Sequence, residues 1–241
     1  MAIFHGQTVD VHEDFENALD GSWVETDTDN NIDVNDAAAK YAGTNGMSLD
    51  YYGDNAGVEK AHIRYNMGAE RTDLSVGWWW YSGAMSSFSG SADIANWAGA
   101  TTGTTNLRVY YHKAGGSTYE VDIRGTGYSA NRKAISVNTW YWLTLDLNKN
   151  GTCTLRVYNT SGAEVDAGTS VTATANNGVC QYFYLGFTGT PTDEEGVIYY
   201  DDFVADWADA TFPLLGWTVA GGNAPTAVLS GSLAGPFGGP F

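Results

Sequence analysis

Two blocks of carboxylates carry the whole net charge of this chain. Ten acids lie from Asp10 to Asp36 with no Lys or Arg among them, and seven more lie from Asp193 to Asp209. The formal charge is −17, and the acids outside these two tracts are balanced by bases. Acidity confined in this way suits a hard cation held by oxygen ligands, provided that the tracts meet, and Ca2+ is the natural occupant. Two solvated acidic loops are the alternative reading.

Aromatic side chains form the second chemical resource, because their faces stack on sugar C–H groups while neighbouring polar groups bind hydroxyls. In Trp78-Trp79-Trp80-Tyr81, strand alternation sends Trp78 and Trp80 toward the core with Leu74 and Val76, and sends Trp79 and Tyr81 the other way. Trp79 and Tyr81 are therefore candidate glycan platforms. Arg108, Tyr110 and His112 form a second polar and aromatic face of the same kind. Ordinary packing within a large sandwich is the alternative for all five. Trp97 is expected in a loop. The four histidines, His5, His12, His62 and His112, show no metal-ligand spacing and read as surface or strand residues.

The elements that must position these groups are strands. Period-two alternation runs through Leu143, Leu145 and Leu147, breaks at an Asn150-Gly151 turn signal, and resumes at Leu155 and Val157, which predicts a hairpin. Similar runs occur at residues 61–65, 74–81, 107–112, 119–124, 182–188 and 197–204, each bounded by turn-forming residues. Helical periodicity is nearly absent, with a turn or two expected around residues 35–40 and 205–210. The fold class is all-β, a two-sheet antiparallel jelly-roll β-sandwich.

With 241 residues, 43% of them hydrophobic and 16% charged, the chain can bury a substantial core. A surface this acidic repels phosphate backbones, which excludes nucleic acid as a partner. Its longest uncharged stretch is broken by Gly and Pro, so no membrane span is expected. The N-terminal residues lack the features of a Sec signal peptide. Cys153 and Cys180 lie 27 apart, and they either form one bridge or serve as two buried thiols.

Three units are expected: an N-terminal segment, 1–9; a sandwich, 10–210; and a Gly/Pro-rich arm, 211–241. The arm has no charged side chain and holds four of the five prolines. It either folds back or, as expected here, docks on a neighbouring subunit through Phe212, Leu214, Leu215, Trp217, Phe237 and Phe241.

Four stretches carry a resemblance to the concanavalin A-like lectin/glucanase superfamily, particularly its laminin-G-like jelly rolls. They are Glu13-Asp-Phe-Glu16 with Trp23, Leu74-Ser-Val-Gly-Trp-Trp-Trp-Tyr81, Trp140-Tyr-Trp-Leu-Thr-Leu-Asp-Leu147 and Ile198-Tyr-Tyr-Asp-Asp-Phe-Val204. The resemblance covers about Asp10 to Trp207 and implies that the first and last strands adjoin. The acidic tracts would then share one edge, with Asp14 and Glu16 joined by Asp201 or Asp202 as the implied calcium ligands. Alternation would let only one of the last two face the ion.

Glycosidases of that superfamily carry a Glu-x-Asp-x-x-Glu-like carboxylate pattern. Glu120-Val-Asp122 and Glu164-Val-Asp166 lack the third carboxylate and read as solvated residues. Related lyases cluster Arg, Gln, His and Tyr, which Tyr111-His112-Lys113 with Tyr119 echoes faintly. The expectation is therefore a non-enzymatic structural or surface protein of an extracellular assembly, foremost a phage virion, associating with itself or with other virion subunits. A glycan-binding adhesin or module is the alternative, and a glycan hydrolase or lyase comes third.

Overall fold

The computed structural model describes residues 2–4, 7–27, 30–52, 61–84, 91–99, 105–115, 118–128, 130–148, 151–175, 179–187 and 195–207. In chain order the first strands are β1 (Ala2–Phe4), β2 (Gln7–Val9), β3 (Val11–Glu13), β4 (Trp23–Asp27), β5 (Ile32–Asp36) and β6 (Gly46–Tyr52). Next come β7 (Ala61–Arg71), β8 (Leu74–Tyr81), β9 (Ser91–Ala98), β10 (Thr105–Gly115), β11 (Thr118–Arg124) and β12 (Gly127–Tyr128). The last are β13 (Lys133–Ile135), β14 (Trp140–Leu147), β15 (Thr152–Tyr158), β16 (Val171–Thr174), β17 (Cys180–Phe187) and β18 (Glu195–Asp206).

Strand pairing builds two large antiparallel sheets. One has seven strands in the order β13-β11-β10-β9-β17-β7-β4. The other runs β12-β16-β15-β14-β8-β18-β6-β5, with β3 also paired to β18. The expected all-β two-sheet jelly roll is the observed fold. Among the described residues there is no helix. Where described, the two short segments expected to be helical are strand or turn instead: β5 runs into a turn closed by Ala39 N–H donating to Asp36 O, and Ala205 and Asp206 end β18, while residues 208–210 lie outside the described residues. No helix among these residues is long and apolar enough to cross a membrane.

Alternation explains the core. Trp78, Trp80, Leu143, Leu145, Leu155 and Val157 point inward from the nine-stranded sheet, and Ile63, Val109, Val121, Phe183 and Leu185 from the seven-stranded one. The predicted hairpin is β14 with β15, in which Leu143 faces Val157 and Leu145 faces Leu155. Gly151 takes φ +75, a conformation that glycine adopts without steric cost. Trp97 is not in a loop but in β9, where it is fully buried. Cys153 and Cys180 are free and buried, and burial pushes both thiols well up from their ordinary range.

A second, smaller core sits on the outer face of the nine-stranded sheet. The β1–β2 hairpin lays Phe4 and Val9 over Trp79, Trp142 and Val204. Trp142 lies over Gly77, where a Cβ would come within 2.5 Å of its ring. Tyr41 stacks on Trp79 at 3.6 Å between ring centroids. Replacing Trp79 by Ala opens a cavity in this layer and is expected to cost about 3–5 kcal/mol, read by urea unfolding. A loss under about 1 kcal/mol would show that the layer does not pack as described.

Candidate functional site

The outer face of the seven-stranded sheet gathers polar side chains from five neighbouring strands. Arg64 on β7 is the cross-strand partner of Tyr184 on β17, and Tyr184 in turn pairs with Asn96 on β9. Asn96 faces Arg108 on β10, and Arg108 faces Arg124 on β11. These five residues form one row perpendicular to the strands. At the usual strand separation it spans roughly 19 Å. Beside it, Tyr110 is flanked by its partners Asp93 and Asp122, and His62 stands opposite Gly186.

Strict alternation would send Asp93 and Asn96, three residues apart, to opposite faces. A bulge in β9 prevents this: Val109 pairs with Ala95 and Tyr110 with Asp93, so Ile94 and Ala95 both turn into the core. Asp93 and Asn96 consequently share the outer face.

The face is held by charge-assisted contacts. Arg108 Nη1 lies 3.1 Å from Asp93, and Arg124 donates to Asp122 through Nε at 3.1 Å and Nη2 at 3.0 Å. His112 Nε2 is 2.9 Å from Asp122, and Arg132 is 2.9 Å from Glu120. Asp122, expected to be solvated, is buried among these cations. Glu164, also expected to be solvated, pairs at 3.0 Å with the fully buried Lys133. Burial pushes the Asp93 carboxyl up, against the pull of Arg108. Burial and then Asp93 push the Tyr110 hydroxyl up.

Arg64 differs from the other arginines of this face. Its guanidinium lies 5.1 Å from the Tyr182 ring centroid, and its buried Nε has no hydrogen-bond partner among the described residues. An N–H left in this state is a donor awaiting an acceptor. His62 packs edge-on against Tyr184 at 5.2 Å, and its Nδ1 lies 3.3 Å from Phe187 O. That contact suits a protonated Nδ1 and leaves Nε2 as the lone-pair nitrogen.

The five glycan candidates from the sequence do not come together. Arg108, Tyr110 and His112 share the face just described, whereas Trp79 and Tyr81 lie on the outer side of the other sheet. Trp79 is not a platform, because Tyr41 and Phe4 cover it and leave it 1% exposed. Tyr81 is partly exposed and stacks on Tyr199 at 5.1 Å. Arg64, Tyr184, Asn96 and His62 were not among the site candidates. Their signal was a polar or aromatic side chain at the outward positions of otherwise apolar strands.

The acidic tracts do meet. Asp14, Glu16, Asp201 and Asp202 line one cleft of about 410 Å³, together with His12 and Phe4. Both late carboxylates reach it, contrary to the expected alternation, because β18 bulges between Asp201 and Val204 and Asp202 takes φ +45. Asp201 accepts the N–H groups of Tyr41, Ala42 and Asp202 at 2.8–2.9 Å. Glu16 accepts those of Thr44 and Asn45 and the Thr44 hydroxyl, while Asp202 lies 2.9 Å from His12 Nε2. Burial, then the Asp202 carboxylate, push the Asp201 carboxyl up to about 8. Among the described residues no group of three or more His, Cys, Asp or Glu is arranged to hold a metal ion. As they stand, these oxygens are committed to protein donors, and no chemistry is routed through a cation here. The assembly candidates in segment 211–241 lie outside the described residues.

No protein-family model matches the sequence, and no curated protein does. Solved structures do. An endo-β-1,4-glucuronan lyase from the fungus Trichoderma reesei matches with a TM-score of 0.56 at 13% identity, covering 84% of this chain and 97% of that one. The cellulose-induced protein Cip1 matches with a TM-score of 0.56 at 15% identity, covering 83% and 98%. An alginate lyase from Klebsiella pneumoniae is similar at a TM-score of 0.46 and 9% identity, covering 69% and 83%. At these identities the likeness of the first two shows a shared β-sandwich fold.

The expectation of a non-enzymatic virion structural protein is corrected by the fold shared with an endo-β-1,4-glucuronan lyase. That expectation rests on the missing third carboxylate of a hydrolase and on the faint lyase-like cluster at Tyr111-His112-Lys113 with Tyr119.

The raised Asp93 carboxyl has a consequence for stability. The folded chain holds a proton there that the unfolded chain has already released once pH passes the ordinary aspartate value of about 4. Stability from this group is therefore lost as pH rises from that value. The Tm of Asp93→Asn relative to wild type is expected to climb as pH is raised from about 4 in a calorimetric series. A relative fall would show that the Arg108 pair outweighs burial.

Proposed function

We propose that this protein is a polysaccharide lyase that cleaves a uronate-containing glycan by β-elimination. The observation that carries the reading is the Arg64–Tyr184–Asn96 row with His62 packed on Tyr184, set on a fold shared with a glucuronan lyase. The hydrogen on C5 of a uronate is acidified when its carboxylate charge is neutralised, and Arg64 with Asn96 supplies that neutralisation. His62 Nε2 takes the C5 proton, the electron pair forms the C4=C5 double bond, and the C4–O4 bond breaks. The Tyr184 hydroxyl protonates the departing O4. The reaction needs two positioned proton carriers and one anion clamp, all provided by three adjacent strands.

The superfamily assignment, concanavalin A-like and laminin-G-like, is proposed on the four stretches that suggested it from sequence. The long strands β8, β14 and β18, to which three of those stretches correspond, support it.

The test is the ultraviolet absorbance of the unsaturated uronate released from a panel of acidic polysaccharides. Wild type is expected to produce it, and Tyr184→Phe to lower kcat by roughly 10²–10⁴-fold. Arg64→Ala should lose a comparable factor in kcat/KM. Binding of acidic glycans without any absorbance change would overturn the lyase reading in favour of a glycan-binding module.

A further inference from the structure

Four of the chain's six arginines stand on or beside the outer face of the seven-stranded sheet. Three of them are answered within the protein: Arg108 by Asp93, Arg124 by Asp122 and Arg132 by Glu120. Arg64 alone among the four has no carboxylate within ion-pair distance among the described residues. Along its five-strand row the face therefore offers one uncompensated cation.

A homopolyuronate would lay a carboxylate on every sugar along that row. An arginine already neutralised by a buried carboxylate attracts a second anion weakly, because the two anions repel one another across it. Beyond Arg64 the neighbouring strand is β4, which sets Val24 opposite Arg64 and Thr26 opposite His62 and so adds no second cation to the row. On β11 itself Asp122 and Glu120 follow Arg124 on the same face, level with Tyr110 and His112. Each carboxylate after the first therefore finds no free cation on the row and meets the paired carboxylates Asp93 and Asp122. Paired guanidinium and carboxylate groups are good partners for neutral hydroxyls, to which they can donate and from which they can accept.

We infer, resting on the lyase reading above, that the substrate is a heteroglycan in which each uronate is flanked by neutral sugars. One uronate sits at Arg64. Its uncharged neighbours lie along the row toward Arg108 and Arg124, bonding their hydroxyls to the Arg108–Asp93 and Arg124–Asp122 pairs.

The experiment compares kcat/KM of the full chain at low salt on polyglucuronate and polymannuronate against glycans that alternate glucuronate with a neutral hexose or N-acetylhexosamine, at equal uronate concentration. The alternating polymers are expected to be cleaved at least about tenfold more efficiently. Added salt should raise the rate on homopolyuronates by screening the repulsion. Glu120→Gln, which removes one carboxylate from this face while Arg132 keeps its contact with Asp122, should raise homopolyuronate cleavage severalfold and leave the alternating substrate unchanged. Preference for a homopolyuronate, with a rate that falls as salt is added, would overturn the inference and leave the lyase reading standing. Absence of unsaturated product from every polymer would overturn the lyase reading and this inference with it.

Discussion

The functional face depends on the register of β9 between β10 and β17. If β9 followed strict alternation, either Asp93 or Asn96 would point into the core, where neither could be satisfied among Trp97, Phe183 and Val109. The bulge at Ile94 and Ala95 removes that conflict by burying two apolar residues in succession. It brings Asn96 level with Tyr184 and Arg108 while Asp93 remains beside Tyr110. A one-residue slip in this strand would dismantle the row and the Asp93–Arg108 pair together.

Much of the scaffold was legible in the sequence, because alternation and core packing report the same faces. The β14–β15 hairpin, the inward Trp78 and Trp80, and the outward Arg108, Tyr110 and His112 all follow from period two. The site was less legible, since it joins residues distant in sequence. Arg64, Asn96 and Tyr184 become neighbours through the order β10-β9-β17-β7, which no local pattern encodes. Bulges defeat alternation twice, at Asp93 with Asn96 and again at Asp201 with Asp202. Trp79 was misread for a different reason. Its outward direction was correct, but the N-terminal hairpin and Tyr41 cover it, and sheet periodicity is blind to what packs on a face.

Charge is sorted between distinct regions of the molecule. The two acidic tracts meet in a cleft beside β3 and β18, where backbone N–H groups and His12 answer the carboxylates. Four arginines collect instead on or beside the outer face of the seven-stranded sheet, where Arg108, Arg124 and Arg132 each face a carboxylate and Arg64 does not among the described residues. Under the proposed function, this sorting leaves Arg64 to serve as the anion clamp of a strongly acidic protein. It also locates chemistry and acidity on different strands, so that the most conspicuous feature of the sequence is not the part that performs the proposed reaction.

The most direct test of the account is the ¹⁵N-resolved Nε–H resonance of Arg64 as a short uronate-containing oligosaccharide is added to the Tyr184→Phe protein. The account predicts a large, saturable shift at Arg64, with Arg132 nearly unmoved, because the Arg64 Nε is buried without an acceptor among the described residues whereas Arg132 is paired with Glu120. Saturable shifts confined to the Tyr81 and Tyr199 face, with Arg64 unmoved, would contradict it and move the glycan site to the opposite sheet.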